Sequence, residues 1–159
     1  MNLYERAIRL LSTYMPPENT KPVLLLSIRV GIYLLENKYS EDIVLAGFLH
    51  DILEDTNIAP VEIQNIFGKN VLELITANTK NTSIVDKTER RKELIKRCVK
   101  LGQDSAIIKA ADILDNYQYY KGIGDATGIE YCQSNASLVK KYMLTTFNDP
   151  IFETLNSIY

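Results

Sequence analysis

The chain has 159 residues, of which 46% are apolar and 24% charged, and its 18 basic against 20 acidic residues give a formal net charge of −2. This length predicts one domain, residues 1–159, with a core large enough to fold without a structural metal or disulfide. Since the charge gives no basic field for a nucleic-acid polymer or a membrane, and the sequence shows neither a signal peptide nor a membrane-spanning run, we expect a cytoplasmic protein with reduced cysteines.

Five helices are predicted in the N-terminal half of the chain. Apolar residues recur there every three or four positions, which is the period of a helix and not of a strand. Pro16 ends the first helix, Ser40 is placed as the N-cap of the third, and Pro60 as the first-turn residue of the fourth. The second helix is apolar almost throughout, so we expect it to be central. The predicted ranges are about 3–14, 22–36, 41–53, 60–68 and 70–76.

Three further helices are predicted in the C-terminal half, over about 86–101, 105–121 and 129–147. In the first of these, acids are interleaved with many bases, which favours a solvated helix face over a polyanion site. Asp104 or Ser105 is placed to cap the second, and a glycine-containing loop over 122–128 precedes the third. No sustained alternating run predicts a strand. We therefore expect an all-α protein, a single compact bundle of seven to nine helices.

One short stretch concentrates ionisable groups where an apolar helix ends. His50 is the only histidine of the chain, and Asp51, Glu54 and Asp55 follow it within five positions. A continuous helix would place Glu54 over His50 and Asp55 over Asp51. Three acids at a helix C-terminus oppose the helix dipole, so the cluster indicates a role other than capping.

A second acidic position, Asp112, lies in an otherwise apolar helical segment that begins at Ile107. A carboxylate buried alone is costly and either takes up a proton or pairs with a cation. A divalent metal ion shared with His50 and Asp51 would supply that cation.

Taken together, these motifs resemble the HD superfamily of metal-dependent phosphohydrolases, over about Pro22 to Tyr120. Residues 49–56, Phe67-Gly68, Thr79-Lys80 and residues 109–116 are similar to the branch that hydrolyses the alarmone (p)ppGpp. The resemblance implies one divalent ion and an acidic catalytic pair that orients or deprotonates water. The residues it implies are His50, Asp51 and Asp112 for the metal, Glu54 and Asp55 for catalysis, and Asn116 and Lys80 for the substrate.

Tyr120 is a further candidate for the substrate, because a tyrosine ring can stack on a nucleotide base. One imidazole and two carboxylates favour Mn²⁺ first, with Mg²⁺ or Fe²⁺ as alternatives, over a structural zinc. The implied ligand is a phosphorylated nucleotide or another small phosphoester. The oligomeric state is left open.

Two positions depart from the family's pattern. Leu26 stands where the family has its first metal-binding histidine, and Met15-Pro16-Pro17-Glu18 stands where the alarmone branch has an Arg-Lys pair. Two functions therefore remain open: a metal-dependent hydrolase of a nucleotide's phosphate or pyrophosphate ester, and a catalytically impaired HD-like protein that binds a nucleotide or protein partner without turnover. A pure interaction module would leave the acids at positions 54, 55 and 112 unexplained.

Overall fold

The computed structural model describes residues 2–17 and 21–159, and within these ranges the chain forms helices and no strands. The helices are α1 Leu3–Tyr14, α2 Val23–Glu36, α3 Glu41–Leu49, α4 Ile52–Asp55, α5 Pro60–Phe67, α6 Lys69–Asn78, α7 Lys87–Leu101, α8 Gln103–Ile123, α9 Ala126–Tyr142 and α10 Pro150–Asn156. Nine of them, among the described residues, have seven or more residues, and α4 is a single turn. The predicted all-α class with seven to nine helices is confirmed. Glu18 lies outside the described residues.

Contacts between residues divide the chain into two compact units, Met1–Thr79 with α1 to α6 and Lys80–Tyr159 with α7 to α10. The assignment of residues 1–159 to one domain stays a prediction. In the described part of the chain, no helix is both long enough and apolar enough to cross a membrane.

The first unit is built around α3, which is buried from Ile43 to Leu49. The link between α2 and α3 has only four residues, so the two helices pack as antiparallel neighbours. α1 and α6 also pack against α3, and the Tyr4 ring of α1 lies 6.4 Å from the Phe48 ring. We expected α2 to be central, but its Leu25 and Ile32 side chains are exposed. The central helix is therefore α3.

Two glycines allow α2 and α3 to approach closely. A Cβ atom on Gly31 would overlap the Phe48 ring, and one on Gly47 would overlap the Leu34 side chain. The facing side chains thus fill the space that a residue other than glycine would need. This contact holds the C-terminal end of α3, where His50 follows, against the C-terminal half of α2.

The second unit contains α7, α8, α9 and α10, and α8 packs against each of the other three. Glycines with positive φ flank α8 at both ends: Gly102 has φ 142° and Gly124 has φ 73°. The N-cap of α8 is Gly102, and not Asp104 or Ser105 as predicted. α9 ends at Tyr142, five residues before the predicted end.

α9 begins earlier than predicted, and α10 is absent from the predicted helices. Asp125 accepts a hydrogen bond from the Gly128 amide at 3.1 Å and caps α9 within the predicted loop. Likewise, Asp149 accepts from the Ile151 amide at 2.9 Å, with Pro150 in the first turn of α10. Both starts are side-chain caps, which fix a helix N-terminus locally.

Candidate functional site

His50 is the buried residue at which α3 ends. It is 1% exposed, and its Nδ1 lies 2.8 Å from the carbonyl oxygen of Gly47. Because a carbonyl only accepts, a neutral ring carries its proton on Nδ1, and Nε2 keeps its lone pair. The bond also satisfies one of the carbonyls that a helix C-terminus leaves open. His50 therefore presents Nε2 in the form that a metal ligand requires.

Asp51 follows in the short turn between α3 and α4. Its Oδ2 lies 3.3 Å from Nε2 of His50, and 27% of its side chain is exposed. An imidazole lone pair and a carboxylate at this distance are compatible only when a proton or a cation lies between them. A divalent ion would meet that need, so the pair fits a metal site.

The turn changes the predicted positions of the two following acids. We expected one helix to run to about Leu53 and align Glu54 with His50, but α3 and α4 are separate helices. The amides of Glu54 and Asp55 both donate to the Asp51 carbonyl at 3.0 Å. Glu54 is half-buried and Asp55 is exposed. Both carboxylates thus lie on a single helical turn that is anchored on the backbone of a predicted ligand.

Leu26 lies on α2 and is 4% exposed. α2 and α3 are antiparallel, and Gly31 of α2 faces Phe48 of α3. Leu26 therefore lies toward the N-terminal end of α2, which is on the same side as the C-terminus of α3. The neighbouring Ser27 is fully buried, and its hydroxyl has no hydrogen-bond partner among the described residues. Buried hydroxyls normally bond to protein or water, so Ser27 marks a polar point in this apolar helix. A lone hydroxyl in an apolar run was the only sequence signal for it.

Asp112 lies in the middle of α8, and its carboxylate has partners within that helix. Oδ2 lies 3.0 Å from Nζ of Lys109, and Oδ1 accepts from Nδ2 of Asn116 at 2.6 Å. The side chains of Lys109 and Asp112 are only 9% and 17% exposed. Lys109 is absent from the predicted site, although a lysine three positions before an acid in an apolar helix signals such a pair. It supplies at least part of the positive charge that we expected Asp112 to need.

The predicted substrate contacts have different local surroundings. The amide nitrogen of Asn116 is engaged within α8, while its Oδ1 is buried and has no hydrogen-bond partner among the described residues. The Tyr120 ring packs against Gly128, where a Cβ would overlap it, and meets the Tyr119 ring edge-on at 5.3 Å. Lys80 is exposed in the loop that follows α6.

Neither unit by itself, within its described residues, holds three or more His, Cys, Asp or Glu side chains arranged for a metal ion. His50 and Asp51 belong to the first unit and Asp112 to the second. The predicted three-residue site would need ligands from both units. It stays a prediction, as do the roles of the other predicted site residues.

A family model described as "HD domain" matches residues 5–131, which is most of the chain. The chain belongs to the HD-domain family. The matched range includes Leu26 and every predicted site residue of this HD domain, from His50 to Tyr120. HD-domain phosphohydrolases depend on a divalent metal ion.

Curated relatives of this HD domain carry the names of guanosine nucleotide hydrolases. The probable guanosine-3′,5′-bis(diphosphate) 3′-pyrophosphohydrolase of Mycoplasma pneumoniae is 34% identical over 107 residues, covering 60% of this chain and 15% of that protein. The guanosine-3′,5′-bis(diphosphate) 3′-pyrophosphohydrolase of Drosophila melanogaster is 34% identical over 76 residues, covering 48% and 42%. The bifunctional (p)ppGpp synthase/hydrolase of Escherichia coli K12 is 27% identical over 143 residues, covering 73% and 20%. The chain thus spans less than half the length of these relatives.

Solved structures resemble this HD domain over nearly its whole length. A metazoan SpoT ortholog that hydrolyses ppGpp superposes with a TM-score of 0.79 at 23% identity, covering 99% of this chain and 94% of that one. A protein from Listeria monocytogenes EGD-e superposes with a TM-score of 0.71 at 22% identity, covering 88% and 96%. At these identities the likeness shows the shared all-helical fold.

Proposed function

We propose that this HD domain is a metal-dependent phosphohydrolase that cleaves a pyrophosphate ester of a guanosine nucleotide of the (p)ppGpp type. The observation that carries the proposal is the local geometry of His50 and Asp51. The Gly47 carbonyl orients the imidazole, and Nε2 lies 3.3 Å from the Asp51 carboxylate. The names of the curated relatives support the substrate class.

The metal ligands in this proposal are His50, Asp51 and Asp112, with Mn²⁺ preferred over Mg²⁺ or Fe²⁺. One imidazole and two carboxylates suit these ions. When bound, the ion would lower the pKa of a water and screen the charge that develops on phosphorus. Lys109 and Asn116 hold the Asp112 carboxylate from within α8 and so limit its rotamers before any ligand binds.

Glu54 and Asp55 are the proposed catalytic pair. On the turn that follows the ligand pair, either carboxylate can orient a water or accept its proton. Lys80 would bind a phosphate oxygen as a flexible point charge, and Asn116 would offer its buried amide oxygen to a donor on the substrate. Tyr120 would contact the base with the part of its ring that does not pack on α9.

A second candidate function is nucleotide binding without turnover, and Leu26 favours it. The family's first histidine would add a fourth ligand, whereas Leu26 offers a buried apolar side chain instead. Losing a direct ligand should weaken metal binding at least as much as the roughly 10 to 100-fold seen for outer-shell changes. Binding of guanosine 3′,5′-bis(diphosphate) with no release of pyrophosphate would support this candidate.

The test is release of pyrophosphate from guanosine 3′,5′-bis(diphosphate) in Mn²⁺ and in EDTA. We expect activity only with Mn²⁺, and we expect Asp51→Ala to abolish it while circular dichroism shows unchanged helix content, since alanine is a good helix former. Asp104→Ala, at an exposed first-turn position of α8, is the matched control and should keep parental activity. Equal activity of Asp51→Ala and the parent would exclude the proposed site.

A cytoplasmic location belongs to the same proposal. Cys98 and Cys132 are both buried and form no disulfide, which is typical of a reducing compartment. The proposed substrate is a phosphorylated nucleotide and not a nucleic-acid polymer, in agreement with a net charge of −2.

A further inference from the structure

The outer face of α7 carries a basic groove that the proposed hydrolysis does not use. The groove has a volume of about 460 Å³ and is lined by charged side chains alone: Glu89, Lys92, Glu93, Lys96, Arg97 and Lys100. Its volume is within the range of small-ligand sites, which is about 300–1,000 Å³. From the interleaved charges we expected only a solvated helix face. The ion pairs within α7 favour a different interpretation.

Both acids of the groove are neutralised within α7. Lys92 donates to Glu89 at 2.8 Å, and this hydrogen bond is the main reason that the pKa of Lys92 is raised. Arg97 holds Glu93 through two bonds of 2.7 and 2.9 Å, and the hydrogen bond from Arg97 lowers the pKa of the Glu93 carboxyl. Neither carboxylate is left to neutralise the remaining lysines of the groove.

Three lysines remain without an ion pair to any described carboxylate. Lys96 and Lys100 are one turn apart on α7, and Lys141 reaches the same region from the end of α9. Two of them lie against the Tyr142 ring, with Nζ of Lys96 at 5.1 Å and Nζ of Lys141 at 5.6 Å from its centroid. Counting Lys141, five cations face two carboxylates, an excess of three positive charges on a chain whose net charge is −2.

We propose that Lys96, Lys100 and Lys141, with the Tyr142 ring, form a binding site for the phosphate chain of a small polyphosphate, either inorganic or part of a nucleotide. Lysines one turn apart, about 5–6 Å between Cβ atoms, can converge on neighbouring phosphates of one chain. Each ammonium gains an anionic partner that the protein itself does not provide. A tyrosine ring beside the lysines offers a surface on which a base can stack. The site lies wholly in the second unit and is independent of the proposed hydrolysis.

The experiment is a titration of ¹⁵N-labelled protein with tripolyphosphate, in EDTA and at low salt, followed by residue-resolved NMR. We expect saturable shifts at the amides of residues 92–100 and 140–143. The triple variant Lys96→Gln, Lys100→Gln and Lys141→Gln should bind about tenfold or more weakly, whereas Lys69→Gln, Lys87→Gln and Lys121→Gln, an exposed triple with the same change of charge, should bind within about twofold of the parent. Equal weakening in both triples, or shifts confined to residues elsewhere, would overturn the proposal.

A second arm separates the two sources of the phosphate chain. Guanosine triphosphate is titrated under the same conditions, with the parent and with Tyr142→Leu. Tighter binding of the nucleotide than of tripolyphosphate, lost in Tyr142→Leu, identifies a nucleotide site. Equal affinity in all cases identifies a site for the phosphate chain alone. Absence of saturable binding by both probes contradicts the proposal.

Discussion

His50 is suited to bind a metal because a backbone atom fixes its proton. In a neutral ring the Gly47 carbonyl, 2.8 Å from Nδ1, favours the form in which Nε2 carries the lone pair, and Asp51 lies 3.3 Å from that nitrogen. The same carbonyl belongs to the last turn of α3, so one bond joins the end of that helix to the imidazole of the proposed ligand. In the proposed function, Leu26 is the residue that would decide between full and impaired metal binding.

Leu26→His should strengthen metal binding if Leu26 faces the predicted site. The imidazole would add a neutral ligand. Metal affinity should therefore fall as pH decreases through the titration range of histidine, at about 6.5. Without metal we expect a destabilisation of about 1 to 3 kcal/mol from lost apolar burial, which saturating Mn²⁺ should offset because the ion binds only the folded state. Thermal melts with and without Mn²⁺ measure both effects.

The control for this substitution is Leu25→His, on the same helix at a position that is 53% exposed. Its melting temperature should respond to Mn²⁺ as the parent's does. If Leu26→His gains no more from Mn²⁺ than Leu25→His, then Leu26 does not face the metal ligands.

Among the helices, the contact between α2 and α3 sets the position of the site, and its glycines can be tested. Gly31→Ala would place a methyl group in the Phe48 ring, so we expect a loss of about 1–3 kcal/mol despite the better helix propensity of alanine. Gly122→Ala, near the end of α8, would place its methyl group where no atom beyond the neighbouring residues and the backbone of α8 lies within 4 Å, and it should instead gain up to about 1 kcal/mol.

Urea denaturation measures the free energy of unfolding of both glycine variants. A shift of the unfolding midpoint with an unchanged slope gives the change in stability. A Gly31→Ala protein as stable as the Gly122→Ala protein would mean that α2 and α3 are not in close contact at Phe48.

Helices with local signals were predictable from sequence, and those that depend on particular side-chain bonds were not. Pro60 and the apolar period of residues 3–14 identify α5 and α1 within a residue. At the break after Leu49 the His50 ring bonds to the Gly47 carbonyl, a side-chain contact that no periodicity reveals. The N-cap at Asp149 could have been predicted from the sequence, because an Asp-Pro pair is a local signal for the start of a helix.

At the scale of the whole molecule, burial keeps both thiols out of reach. Cys98 and Cys132 are buried and form no disulfide, and burial raises the pKa of the Cys98 thiol, with Lys109 only partly offsetting this effect. A folded-state pKa above the unfolded one favours the neutral thiol in the native protein. The stability that the neutral Cys98 thiol contributes is therefore fully present below the unfolded thiol's pKa of 9.0, and it is lost as pH rises through the higher folded pKa.

Thiol labelling at pH 8 should consequently be slow in the native protein and fast in urea. We expect two thiols to react together with global unfolding, because both lie in the core of the second unit. Rapid reaction of either thiol before the unfolding transition would show that it is accessible in the native state.

The residue types of the proposed site were predictable from sequence, but their local pairing was not. His50, Asp51 and Asp112 were named from motif and burial cost, whereas the bond from Lys109 to Asp112 depends on two long side chains selecting rotamers within α8. The division of the chain at Thr79 likewise follows from packing over many residues and not from any local pattern. Whether His50 and Asp51 of the first unit bind the same ion as Asp112 of the second is therefore tested by direct measurement.

Calorimetric titration of Mn²⁺ into the whole chain, prepared free of other metals, tests most directly whether His50, Asp51 and Asp112 hold one ion. The parent and Asp104→Asn should each bind one Mn²⁺ per chain with the same affinity, and Asp112→Asn, which keeps the shape of the side chain but removes its charge, should bind about tenfold or more weakly. A dissociation constant for Asp112→Asn equal to that of Asp104→Asn would contradict a site shared between α8 and the turn at His50.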